Sequence, residues 1–130
     1  MKFPRQARLN SGADYRFVFA GPAVSKDRFF RVLSRGNGRD YCRLGMAVSR
    51  KVCRHAAGRN RLKRVIRKSF RIHQDELAGN GGNDIVVLPF VRAASICNRA
   101  LFESLRDHWL EIRESTRMES DKMSGKHKDG

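Results

Sequence analysis

The chain has 130 residues and a mass of 14.9 kDa, room for one domain with a real core. Its formal net charge of +15 and pI near 11.0 point to a polyanionic partner, either nucleic acid or an anionic membrane surface. No run of about 18 apolar residues is present to span a bilayer as a helix, and three scattered cysteines without a Cys-x-x-Cys pair support neither a disulfide framework nor a zinc site.

Residues 1–10 read as a basic, extended arm that lacks the apolar core of a secretory signal. Ser11 or Asn10 can cap a short helix over residues 13–20, in which Tyr15, Val18 and Phe19 share one face. Gly21-Pro22 stops it. The run Arg28-Phe29-Phe30-Arg31-Val32-Leu33 predicts a strand. Asn37-Gly38 between apolar runs is a hairpin signal, with residues 41–49 as the partner strand. Residues 51–55 form a basic connector.

A long helix follows over about 56–73. At about 100° per residue, Leu62, Val65, Ile66, Ser69 and Phe70 gather on one arc. Arg61, Lys63, Arg64, Arg67, Lys68 and Arg71 take the other side around Asn60, and Arg59 borders the apolar arc. Residues 79–83 break the helix. Asp84-Ile85-Val86-Val87-Leu88 reads as a buried central strand ended by Pro89. Asn98 is a candidate cap for a last helix ending near Arg113, with Leu101, Leu105, Trp109 and Ile112 as its core stripe and Phe102 beside it. Residues 115–130 are polar and read as a disordered tail. His73 and His108 read as surface or boundary residues. The fold class is α+β, helices layered on one mixed sheet in a single domain over 11–114.

Between Asp40 and Asp75 there is no acidic residue. Arg43, Arg50, Lys51, Arg54, Arg59, Arg61, Lys63, Arg64, Arg67, Lys68 and Arg71 all fall in that window. Surface helices usually interleave both signs, because like charges at i,i+4 repel. A block this one-sided costs folding free energy unless an outside polyanion neutralises it. The arginine forks suit phosphate. Asn60 can bond a base edge or cap the preceding loop. Tyr15 and Phe19 can pack in the core or stack on single-stranded RNA. A protein nuclease site would need converging carboxylates or a His/Lys pair. Asp75 and Glu76 point apart on a helix, and Asp27, Asp40 and Asp84 lie by loops or at a strand start, so no catalytic or metal-binding residue is assigned.

The segment Val48-Ser49-Arg50-Lys51, followed after a short linker by Arg59-Asn60-Arg61-Leu62-Lys63-Arg64-Val65-Ile66-Arg67-Lys68-Ser69-Phe70-Arg71, resembles the signature of the protein subunit of bacterial ribonuclease P. That motif is close to R-N-R-x-K-R-x-x-R-E-x-F-R. Arg8-Leu9, the Asp14-to-Phe19 run and Asp84-to-Leu88 are also similar to the family, so the resemblance spans roughly 3–113. Lys68 stands where the family usually has an acid, Arg50 where a lysine is common, and the turn at Val52-Cys53-Arg54-His55 lacks a glycine.

The resemblance implies an α-β-β-β-α-β-α sandwich with a four-stranded sheet, ribosomal-protein-like, with a left-handed crossover where general rules favour a right-handed one. It implies a cytoplasmic subunit, monomeric in its holoenzyme, that binds a catalytic RNA and helps remove the 5′ leader of precursor tRNA. The RNA would carry the chemistry with magnesium ions held mainly by RNA and substrate, so the enzyme is an endoribonuclease only as a ribonucleoprotein. Arg50, Lys51, Arg54, Arg59, Asn60, Arg61, Lys63, Arg64, Arg67, Lys68 and Arg71 would bind RNA, and Tyr15, Phe19, Phe30 and Leu33 would line a leader cleft. Two other readings stay open. One is a structural RNA binder of the ribosomal-protein type. The other is a basic module on anionic lipid, which would need an exposed apolar face opposite the cations.

Overall fold

The computed structural model describes the backbone of residues 7–129 and the side chains of residues 7–116 apart from Asn80. Helix α1 (Gly12–Ala20) leads into strands β1 (Ala23–Lys26), β2 (Phe30–Gly36) and β3 (Arg43–Met46). Helix α2 (Ala56–Leu77) precedes β4 (Asn83–Pro89), and α3 (Asn98–Asp129) closes the chain. The sheet order is β1-β2-β4-β3. β2 pairs antiparallel with β1 and β4, whereas β3 runs parallel to β4, which makes the sheet mixed.

The expected hairpin does not form, because β4 lies between β2 and β3. The physical reason is the composition of β4. Ile85 and Val87 join the core under α2 and α3, while Val86 packs under α1. A strand apolar on both faces gains most from an interior position. The Asn37-Gly38 turn is real, with Gly38 at φ +71, but it serves a different purpose. Asn37 Nδ2 donates to Asp84 Oδ1 of β4 at 2.8 Å and to the Tyr41 carbonyl at 3.2 Å.

The sheet has two unequal sides. On one, α2 and α3 bury Leu62, Ile66, Phe70, Leu101, Leu105 and Trp109 against Phe30, Val32, Ile85 and Val87. Leu62, Val65, Ile66, Ser69 and Phe70 are buried, as the periodicity of α2 predicts. Trp109 meets Phe70 edge-on at 6.0 Å, and its Nε1 donates to Ser69 Oγ at 2.8 Å, which explains a serine in the apolar arc. On the other side, Val18 of α1 packs with Leu9, Leu33 and Val86 in a smaller cluster, with Tyr15 and Leu88 partly buried against it.

His108 is buried at 3 % exposure, not a boundary residue. Its Nδ1 lies 2.6 Å from Ser25 Oγ, which donates to Glu111 at 2.6 Å. Its Nε2 lies 3.2 Å from Asp27 Oδ1, off the hydrogen-bond direction. Asp27 accepts from the Phe29 and Phe30 amides and from Ser104, so the β1–β2 turn is tied to α3.

Asn98 is the first residue of α3 rather than its cap, and its Oδ1 accepts from Arg61 Nε at 2.9 Å. α3 continues to Asp129, past the end expected near Arg113 and through the segment expected to be disordered. The side chains of 117–129, most of that segment, lie outside the described residues, as does the first part of the basic arm, 1–6.

Candidate nucleic-acid interface

The basic side of α2 faces away from the core. Asn60, Arg64 and Lys68 are exposed, and Lys63, Arg67 and Arg71 are half-buried. Arg64, Arg67, Lys68 and Arg71 join Arg8, which is carried in from the N-terminal segment, around a hollow of about 280 Å³. Arg8 reaches this place because residues 8 and 9 run along the edge of β3. Arg8 bridges Leu44, and the Leu9 amide donates to the Leu44 carbonyl at 3.0 Å. Among the described residues, Lys63, Arg64, Arg67 and Lys68 form no ion pair with a carboxylate. Cations packed this closely leave a field that favours an anion with spaced negative groups.

Two arginines of the motif are turned to other work. Arg59 Nη1 donates to the carbonyls of Cys53 and Arg54 at 3.0 and 2.9 Å, bracing the connector where His55 gives α2 no side-chain cap. Arg61 donates to Asn98 Oδ1 and to the carbonyls of Ala94 and Ile96, clamping α2 to the entry of α3. Arg50, Lys51 and Arg54 stand exposed on the connector before α2.

On the other side of the sheet, α1 is seated by polar ties. Ser11 and Asp14 form a capping box: Ser11 Oγ accepts from the Asp14 amide at 3.2 Å, and Asp14 Oδ2 accepts from the Ser11 amide at 3.3 Å. Arg43 of β3 lies 3.4 Å from Asp14 and forks onto buried Asp84 at 2.8 and 2.6 Å. Partial burial would raise the Asp14 pKa, but the Asn10 amide, the Arg43 charge and Ser11 outweigh it and hold the carboxyl below its ordinary range. The Tyr15 hydroxyl accepts from the Met46 amide at 3.2 Å. Tyr15 approaches β3 closely because Gly45 is there: a Cβ at that position would come within 2.8 Å of its ring.

Phe19, on the same helix, is 49 % exposed. Phe30 and Leu33, expected beside it, expose no such surface. Phe30 points to the opposite side of the sheet and packs edge-on against His108. Leu33 faces α1 but is sealed beneath it with Val18. The open part of that sheet face is instead lined by Val24, Lys26 and Arg31, with half-buried Leu88 of β4 on the far side of Arg31. Strand alternation carries the signal that finds Arg31, which shares a face with Leu33 and not with Phe30.

Among the described residues no cluster of three or more His, Cys, Asp and Glu could hold a metal ion, and no helix is long and apolar enough to cross a membrane. A family model described as Ribonuclease P matches residues 3–113. The chain belongs to the ribonuclease P protein family.

Ribonuclease P protein components that it resembles include that of Methylococcus capsulatus, 44% identical over 108 residues, 83% of this chain and 82% of that one. The Salmonella typhimurium component is 38% identical over 109 residues, 84% and 89% of the two chains. Among solved structures, a Staphylococcus aureus RNase P protein mutant with defective mRNA degradation activity has a TM-score of 0.75 at 29% identity, covering 85% of this chain and 90% of that one. The RNase P protein from Thermotoga maritima has a TM-score of 0.67 at 33% identity, covering 78% and 94%. Three helices on a mixed four-stranded sheet are thus the architecture that this chain shares with ribonuclease P proteins of known structure.

Proposed function

We propose that this chain binds the catalytic RNA of ribonuclease P through the exposed side of α2, and that it assists removal of the 5′ leader of precursor tRNA by that RNA. The observation that carries the reading is the hollow of Arg8, Arg64, Arg67, Lys68 and Arg71. An RNA backbone supplies phosphates at a spacing that can meet several of these cations at once. Lys63 and Asn60 extend the contact along the helix, and Arg50, Lys51 and Arg54 extend it onto the connector. Arg59 and Arg61 act mainly as internal braces that hold this surface in shape.

The leader of the precursor lies across the sheet face beside α1, against Tyr15, Phe19 and Arg31. The body at 11–114 carries both surfaces, and the first ten residues add basic contacts. Among the described residues, the carboxylates Asp14, Asp27 and Asp84 are engaged by N–H and O–H donors. Magnesium, which supplies the charge stabilisation of phosphodiester cleavage, is held by the RNA and its substrate in this reading.

The test is cleavage of a leader-bearing precursor tRNA by the catalytic RNA at low magnesium, with and without the protein. Faster cleavage with protein is expected. No gain would overturn the assisting role and leave a structural RNA binder.

A further inference from the structure

Between α2 and α3, on the outer surface of the helical layer, lies a second hollow of about 320 Å³. Its floor is apolar. Ile72 of α2 is 61 % exposed there, and Phe102 of α3 is half-buried beside it with its inner side on the main core. Each wall carries a cation: Lys68 on α2 and Arg106 on α3. Neither has a carboxylate partner among the described residues. The one acid on the rim, Glu103, lies 3.4 Å from Arg99.

An apolar floor between two cations fits a ligand with a flat apolar face and a negatively charged backbone. A nucleotide has both. Lys68 also lines the cationic hollow of α2, so one RNA strand lying on that surface can continue over it into this groove. The source of the strand follows from the layers. The groove sits on the helical side of the sheet, whereas α1 and the open sheet face lie on the other side. A leader held beside α1 does not reach it.

We propose that the groove between α2 and α3 seats one unstacked nucleotide of the RNA subunit, its base on Ile72 and Phe102 and its phosphate between Lys68 and Arg106. The inference rests on the RNA-binding role of α2 and adds a docking point outside the motif.

A photocrosslinker placed on Ile72→Cys tests it, in a background of Cys53→Ser and Cys97→Ser, with Cys42 left buried. A parallel chain carries the probe on Arg64→Cys. Both are mixed with the catalytic RNA and irradiated. The proposal expects both probes to label the RNA, with Ile72→Cys labelling an unpaired nucleotide. It also expects Ile72→Ala to weaken RNA binding about fivefold or more, as loss of a base contact does, and Arg106→Ala to weaken it and lower the salt slope by about one unit, as loss of a phosphate contact does. Ile72 is exposed enough for its truncation to leave the fold intact, checked by unchanged thermal unfolding. Labelling from Arg64→Cys alone overturns the groove and keeps the cationic face. Labelling from neither overturns both. A protein–protein cross-link from Ile72→Cys overturns the proposal in favour of a second copy of this chain.

Discussion

The two sides of the sheet are held by different physics. Under α2 and α3 the contact is apolar, broad and continuous, from Phe30 through Phe70 to Trp109. Under α1 the apolar contact is a small cluster of Leu9, Val18, Leu33 and Val86 with Tyr15 and Leu88 at its edge, and the helix is also seated by polar ties: Arg43 to Asp14 and Asp84, and the Tyr15 hydroxyl to the β3 backbone. The thick side sets stability and leaves Arg64 and Lys68 of α2 facing outward. The thin side can leave Phe19, Val24 and Arg31 uncovered because little of its stability comes from burial. A surface that must accept single-stranded RNA needs such uncovered area.

The sharpest way to break the contrast is to hollow out the thick side. Phe70→Ala removes a ring that is fully buried against Trp109. It is expected to lower unfolding stability by about 3–5 kcal/mol, read by urea denaturation. A loss below about 1 kcal/mol would mean that the helical core does not set stability. On the thin side, Arg43→Met leaves Asp84, 1 % exposed, with Asn37 as its remaining side-chain donor among the described residues. Breaking a buried ion pair in this way costs about 3 kcal/mol. It should also shift the Tyr15 resonances in NMR spectra, because Asp14 loses its tie to β3.

The surfaces can be separated by binding. Arg64→Ala with Arg67→Ala should lower the slope of log K against log salt by about one unit per lost phosphate contact. An unchanged slope would remove α2 from the RNA surface. Phe19→Ala should cost about 1 kcal/mol in binding of precursor tRNA to the holoenzyme, with little change for mature tRNA and little change in stability. Equal losses for both RNAs would place Phe19 outside the leader path.

Sequence periodicity shows the apolar stripes of α2 and α3 on the thick side, because they obey a helical repeat that long-range contacts do not alter, but it misses buried His108 and the direction of Phe30. It was weaker on the sheet. Asn37-Gly38 marks a turn, but no local pattern says that β4 will enter between the strands that flank it. Alternation separates Phe30 from Arg31, yet only the placement of α1 shows which of the two faces stays open. The motif arginines look alike in sequence. Whether a guanidinium turns inward, as Arg61 does to the entry of α3, depends on a loop more than thirty residues away.

Acid unfolding gives the smallest and most local test, on the tie between the β1–β2 turn and α3. Burial would raise the Asp27 pKa, but the Ser104 hydroxyl, the Phe30 and Phe29 amides and His108 outweigh it and hold the carboxyl below its ordinary value of 3.8. A carboxylate whose folded pKa is depressed binds fewer protons in the folded state than in the unfolded chain. Its contribution to stability is therefore complete above the unfolded value, near 3.8, and fades as pH falls through the lower folded value. Asp14 is shifted in the same direction and contributes a parallel loss. Asp27→Asn keeps the shape but removes the charge. The variant should be less stable than the parent at neutral pH, and the gap between them should narrow as the pH is lowered below about 4. A gap that stays constant across this range would mean that Asp27 holds α3 by shape alone, and that the charge in the turn adds nothing to the thick side of the sheet.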